Sequence, residues 1–225
     1  SVIGSITITI NPLPTATISG STSICDGQST DLDFNFTGTG PYSINYDANS
    51  TNTSAVLNNN VDAIAVSPSS TATYTLIDVS DAYCSNTAMG IVIVTVHPLP
   101  SASISGGDVI CADGSTAQID IIANGSAPFN IMYSDGFNNV VLPPISSSHT
   151  FNTTTAGTYT LSSITDVNGC SGNVSGVAIV VVNPLPIASF SFMPQPVDLT
   201  NPTVYFTDLS SGHVAGIYNF GDGIT

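Results

Sequence analysis

The sequence predicts an all-β protein built as a tandem array of small β-sandwiches, and three observations predict it. The composition favours strands and turns: Thr, Ser, Val, Ile, Asn and Gly abound, while the helix formers Glu, Lys and Arg are absent. A Pro-Leu-Pro triplet starts at Pro12, Pro98 and Pro184, a step of 86 residues each time. Gly4, Gly90 and Gly176 keep that step, as do Cys25 with Cys111 and Cys84 with Cys170. A period this long marks whole small domains in tandem, not a solenoid of single motifs. Inside each period, apolar and polar residues alternate with the period of 2 that half-buried strands require.

Superposing the repeats sets the boundaries. Residues 1–11 match 87–97 and 173–183, the ends of the two complete repeats, and are read as the last strand of a preceding repeat. Two full repeats follow, at 12–97 and 98–183, and a different unit begins at 184 and runs to 225. With no leader at its start, the chain is read as an internal fragment of a larger secreted protein.

Leu32, Phe34 and Phe36 alternate with Asp31, Asp33 and Asn35; the second repeat answers with Ile119, Ile121 and Ala123. Tyr42, Ile44 and Tyr46 correspond to Phe129, Ile131 and Tyr133, and Tyr74 with Leu76 to Tyr159 with Leu161. About seven short strands per repeat, separated by turn residues, form the pattern of an immunoglobulin-like sandwich. The buried Trp of antibody domains is missing, because the chain has no Trp. Thr-Tyr-Thr-Leu at 73–76 and 158–161 is either a tyrosine corner or an ordinary strand tyrosine. In the Pro-Leu-Pro linkers, proline fixes φ, keeps the preceding residue extended and offers no backbone donor. The linkers should end strand pairing and act as short, stiff spacers.

All 15 acidic residues are Asp, and the net charge is −15. Phosphate backbones and anionic lipid surfaces are gripped by Lys and Arg, so nucleic-acid and direct membrane-surface partners are excluded on charge. The chain also offers no trypsin site, which suits exposure to extracellular proteases. No run reaches the ~18–20 apolar residues of a transmembrane helix. With 42% apolar residues and a mean hydropathy of +0.33, there is material for folded cores.

The four cysteines fall two per repeat, Cys25 and Cys84, then Cys111 and Cys170, 59 residues apart in both. In a secreted chain this reads as one disulfide per repeat, Cys25–Cys84 and Cys111–Cys170. The two places can also fall at opposite poles of a sandwich, so free thiols and pairing across domains stand as alternatives. The pairs lack CxxC spacing or a histidine cluster, which argues against zinc.

Catalytic chemistry finds no foothold in the motifs. His97, His149 and His213 are isolated, and no nucleophile elbow, phosphate loop or zinc-binding histidine motif occurs. No cofactor is expected, apart from Ca²⁺ held by loop carboxylates. Its candidate ligands are Asp78 with Asp81, Asp26 with Asp31, and Asp208 with Asp222. The competing reading is solvated loop acids that keep the chain soluble.

Residues 187–225 carry Phe206-Thr207-Asp208 and Tyr218-Asn219-Phe220-Gly221-Asp222-Gly223. They resemble the first half of the polycystic-kidney-disease (PKD) domain, a β-sandwich module of secreted proteins, with Tyr218 where the family often has Trp. Ser-Ile-Cys-Asp-Gly at 23–27, Gly-Pro-Tyr-Ser-Ile-Asn-Tyr at 40–46 and Asp-Val-Asn-Gly-Cys at 166–170 resemble the Ig-like repeats of giant Bacteroidota cell-surface adhesins. Those include gliding-motility adhesins exported by type IX secretion. The resemblance implies a non-catalytic stalk segment of a long extracellular fibre attached to the cell surface. Its partners would be other domains of the same chain, secretion or anchoring machinery, and extracellular polysaccharide or surfaces. Two alternatives are a pilus-like subunit assembling by strand exchange and a spacer in a secreted hydrolase.

Overall fold

The structure is a computed structural model that describes residues 4–193, 200, 202–212, 214–217 and 219. Its described residues form strands and no helix. They group into two compact units, Ser1–Pro100 with Thr165–Gly172, and Ser101–Ile164 with Asn173–Thr225.

The first unit contains β1 (Thr15–Ser19), β2 (Thr22–Cys25), β3 (Thr30–Thr37), β4 (Tyr42–Ala48), β5 (Thr51–Leu57), β6 (Val61–Val66), β7 (Ala72–Ser80) and β8 (Ser85–His97). One sheet has the order β1-β3-β6 and the other β2-β8-β7-β4-β5. Period-2 patterning places the core. Leu32, Phe34 and Phe36 of β3 are buried against Tyr42, Ile44 and Tyr46 of β4, while Asp31, Asp33 and Asn35 face outward. Phe36 stacks on Tyr42 with centroids 4.6 Å apart. Each fully buried side chain of this size contributes about 1.5–3 kcal/mol through removal from water.

In β7 the alternation Ala72, Tyr74, Leu76 breaks, and the next core residue is Val79. The register explains it. Leu76 pairs with Tyr46 and Asp78 with Asn45, so Ile77 is an extra residue, a β-bulge that returns the following residues to the core in opposite phase. The same three-residue step separates Leu161 from Ile164 in the second repeat.

The second unit contains β9 (Ser101–Gly106), β10 (Val109–Cys111), β11 (Ala117–Asn124), β12 (Asn130–Ser134), β13 (Asn139–Val141), β14 (Ser148–Thr153), β15 (Gly157–Thr165), β16 (Asn173–Gly176) and β17 (Ala178–Asn183). Its sheets run β14-β11-β9-β16 and β10-β17-β15-β12-β13. Ile119, Ile121, Phe129 and Ile131 form its centre. β16 pairs with β9 in one sheet and β17 with β15 in the other, so the final strand changes sheets at Gly176. Gly176 has φ +86°, which an L side chain rarely adopts. Its counterpart Gly90 lies inside the unbroken β8.

The repeats have more strands than the roughly seven expected. The additions are β2 and β10, short strands that run parallel to the final strand of each repeat, and, in the second repeat, the division of that final strand into β16 and β17. With only four and three residues, β2 and β10 have no alternation to read. Of the two tyrosines read as either corner or ordinary strand residues, Tyr159 forms the corner and Tyr74 is an ordinary strand tyrosine. The Tyr159 hydroxyl donates to the Thr155 carbonyl at 3.0 Å and lies 3.0 Å from Thr153 Oγ1. Beyond the second repeat, β18 (Phe190–Met193) pairs antiparallel with β19 (Tyr205–Asp208), which ends on Phe206-Thr207-Asp208. Asp222, His213, Tyr218 and the Gly221-Asp222-Gly223 turn lie outside the described residues.

Candidate functional site

The residues with chemistry to offer are the cysteines, and each is held by local structure. Cys25 ends β2 in register with His97, and the next amide, Asp26 N–H, donates to the His97 carbonyl at 2.9 Å. The Cys25 amide donates to Gln28 Oε1 at 2.9 Å. Cys84 closes the turn between β7 and β8. There Asp81 Oδ1 accepts from the amides of Tyr83 (2.9 Å) and Cys84 (2.8 Å), and Oδ2 from the Thr39 amide (3.0 Å). Those three amides, Thr39 first, hold the Asp81 carboxyl below its ordinary value against a smaller opposing effect of desolvation.

Cys170 sits in an equivalent turn grouped with the first unit. Asp166 Oδ1 accepts from the amides of Asn168 and Cys170, both at 2.9 Å. Asp166 is 3% exposed and is the buried charged residue of the described chain. Sequence reasoning passed over it, although an Asp precedes the second cysteine of both repeats, where such a side chain caps a turn.

The structure joins Cys25 to Cys170, with Cα atoms 5.6 Å apart across 145 residues of sequence. Cys84 and Cys111 are free thiols. This corrects the pairing of one disulfide per repeat. Cys25 is in register with the last residue of β8, whereas Cys84 immediately precedes its first. The 13 residues of β8 rise ~3.3 Å each, roughly 40 Å in all. A disulfide tolerates Cα separations of no more than about 7 Å. Cys111 and Cys170 are parted likewise, since Cys111 is in register with Asn183 and Cys170 precedes β16.

Three of the carboxylates named for Ca²⁺ have protein partners. Asp78 Oδ1 accepts from Asn45 Nδ2 at 2.8 Å, Asp81 caps the turn described above, and Asp208 Oδ1 accepts from the Ser210 amide at 2.8 Å. Asp26 and Asp31 flank the start of β3 and are exposed. Among the described residues, no three His, Cys or Asp side chains gather as a metal group would require. His149 packs beside Phe151, with ring centroids 5.9 Å apart.

Residues 14–89 match the family model described as the Ig-like domain of nucleoporin POM152. No curated protein sequence matches the chain. Among solved structures, it is similar to the I-band fragment I67-I69 from titin, at 13% identity and TM-score 0.53, over 83% of this chain and 81% of that one. An E-to-A mutated variant of the same three titin domains aligns at 13% identity and TM-score 0.55, over 82% and 75%. At this identity the likeness is one of fold. The two-sheet sandwiches, the parallel β2–β8 and β10–β17 pairs and these neighbours together show an all-β protein of tandem immunoglobulin-like domains.

Proposed function

We propose that this chain is a structural stalk segment of a long extracellular fibre, of the adhesin or gliding-motility kind, and that it takes no part in catalysis. The Cys25–Cys170 bond carries this reading. It gives successive repeats a second covalent tether beside the Pro98-Leu99-Pro100 linker. Such a tether limits how far successive repeats can be drawn apart under tension. Disulfides persist in oxidising, extracellular compartments. The absence of Lys and Arg removes every trypsin site, and the charge of −15 keeps the surface soluble and self-repelling. Partners would be further domains of the same fibre and its surface anchor, and ligands would be met by loops or by other domains.

The test is immunolabelling of the source cells with antibodies raised against residues 12–183. Label on intact, unpermeabilised cells, removed by surface digestion with chymotrypsin, is the expected outcome. Label restricted to permeabilised cells overturns the proposal.

One observation favours a second reading, strand exchange between subunits. Ile6 and Ile8 are 91% and 83% exposed, whereas their counterparts Val92 and Val94 are buried in the first core. If residues 4–10 complete another sandwich, the purified chain self-associates and Ile8→Asp abolishes the association. In the presence of reductant, which keeps Cys84 and Cys111 as thiols, a stalk segment remains monomeric with either residue.

A further inference from the structure

The cysteines of this chain occupy two kinds of place, and each kind occurs twice. Cys25 and Cys111 close the short strand that runs parallel to the final strand of their repeat, in register with His97 and Asn183. In both, the next amide donates to the carbonyl of that registered residue at 2.9 Å: Asp26 to His97, Ala112 to Asn183. Cys84 and Cys170 close the turn before the final strand. Each amide donates to an Asp carboxylate, of Asp81 at 2.8 Å and Asp166 at 2.9 Å, and each carbonyl accepts from the amide of that same Asp.

One cysteine of each kind is already bonded to the other kind, in Cys25–Cys170. That bond shows what the two places do when they meet. The remaining pair, Cys111 of the first kind and Cys84 of the second, are thiols, one exposed and one half-buried. They cannot be each other's partners within one chain by the rule the bond obeys. It joins a first-kind cysteine to a second-kind cysteine in the following repeat, whereas Cys84 precedes Cys111.

We propose that Cys84 and Cys111 are the two open halves of the same linkage, each forming a disulfide with the opposite kind of cysteine on another sandwich of this type. A second copy of the chain supplies both halves. Cys111 of one copy then bonds Cys84 of the other, and the staple seen once inside the chain propagates between chains. The inference goes beyond the stalk reading and holds for any array of these repeats, wherever it is located.

The chemistry is thiol–disulfide exchange with a small disulfide such as oxidised glutathione. One cysteine thiolate attacks the small disulfide, forms a mixed disulfide and releases one thiol. The second cysteine thiolate displaces the other half. Two protein thiols are oxidised to one disulfide, and one small disulfide is reduced to two thiols.

The test uses two variants of the full chain, Cys84→Ser and Cys111→Ser, both retaining the Cys25–Cys170 bond. One is labelled with ¹⁵N. Each alone, and then the equimolar mixture, is incubated with oxidised glutathione and resolved without reductant; the dimer band is digested with chymotrypsin for mass spectrometry. The expected result is several-fold more dimer in the mixture than in either variant alone, with the Cys84 peptide of one isotope linked to the Cys111 peptide of the other. Equal dimer in all three samples means indiscriminate thiol chemistry and overturns the proposal. So does a mixture that stays monomeric while both thiols accept glutathione.

Discussion

The Asp81 carboxylate accepts the amide hydrogen of Cys84 at 2.8 Å, and with the Tyr83 and Thr39 amides it builds the turn that presents that thiol. These donors favour the ionised carboxylate and keep its pKa below the ordinary 3.8. The stability it contributes is therefore present above the unfolded value and is lost as pH falls through the folded one. Asp62, Asp113 and Asp135 are lowered in the same way, chiefly by backbone amides at Asp62 and Asp135 and by the Ser115 hydroxyl at Asp113. Acid also relieves the self-repulsion of the −15 charge, which acts in the opposite direction. A difference measurement separates the two. Asp81→Asn should lower Tm at pH 7, and the gap from wild type should close as pH drops below about 4. A gap independent of pH from 7 to 2 would show that the ionised carboxylate is not what holds the turn.

Tyr159 and Tyr74 occupy the same place in successive repeats but do different work. Tyr159 is buried and bonded to the Thr155 carbonyl; Tyr74 is buried with no such bond. Removing a buried hydrogen-bonding hydroxyl leaves its partners unsatisfied, at about 1–3 kcal/mol. Tyr159→Phe should cost that much in urea unfolding. Tyr74→Phe should stay within about 0.5 kcal/mol of wild type. Equal costs at the two positions would contradict the corner assignment at Tyr159.

The sandwich architecture was legible because burial imprints a period of 2 on the strands that build the core. Leu32, Phe34 and Phe36, or Ile119, Ile121 and Ala123, can be read without coordinates. Val79 and Ile164 were not placed, because a bulge changes phase without changing composition. β2 and β10 were missed since a strand of three or four residues is defined by its parallel partner, which is far away in sequence. The cysteines were found and mispaired for a related reason. A constant spacing of 59 residues measures chain length, while the 13-residue β8 that holds Cys25 and Cys84 apart is a distance in space. Asp166 escaped notice because a buried carboxylate is recognisable only when the amides that surround it are known.

Gly176 turns the final strand of the second repeat from one sheet into the other, and Gly90 does not turn its counterpart. At φ +86° a side chain costs about 1–2 kcal/mol in backbone strain. A Cβ there would also collide with the Ile104 backbone carbonyl, which cannot move aside without breaking the sheet. At Gly90 the new methyl meets the Ile18 side chain first. Gly176→Ala should therefore destabilise by about 2 kcal/mol or more and Gly90→Ala by less, read from paired denaturation curves. A reversed order would show that β16 and β17 are a single strand in solution.

The Cys25–Cys170 bond closes a loop of 145 residues that contains the linker and most of both repeats. In the chain-entropy model a loop of this length adds about 5 kcal/mol by restricting the unfolded chain. Cys170→Ser should lose up to that amount and lower Tm, while Cys84→Ser and Cys111→Ser should leave stability nearly unchanged. Under tension the bond also shields the enclosed chain from extension. An extended residue spans ~3.3–3.6 Å, so reduction should release roughly 500 Å of additional contour length when the chain is pulled from its ends. Single-molecule force spectroscopy with and without reductant reads this directly. Equal contour lengths under both conditions would exclude the Cys25–Cys170 pairing. A gain near 200 Å per repeat instead, the length of a 59-residue loop at the same rise, would restore one disulfide within each repeat.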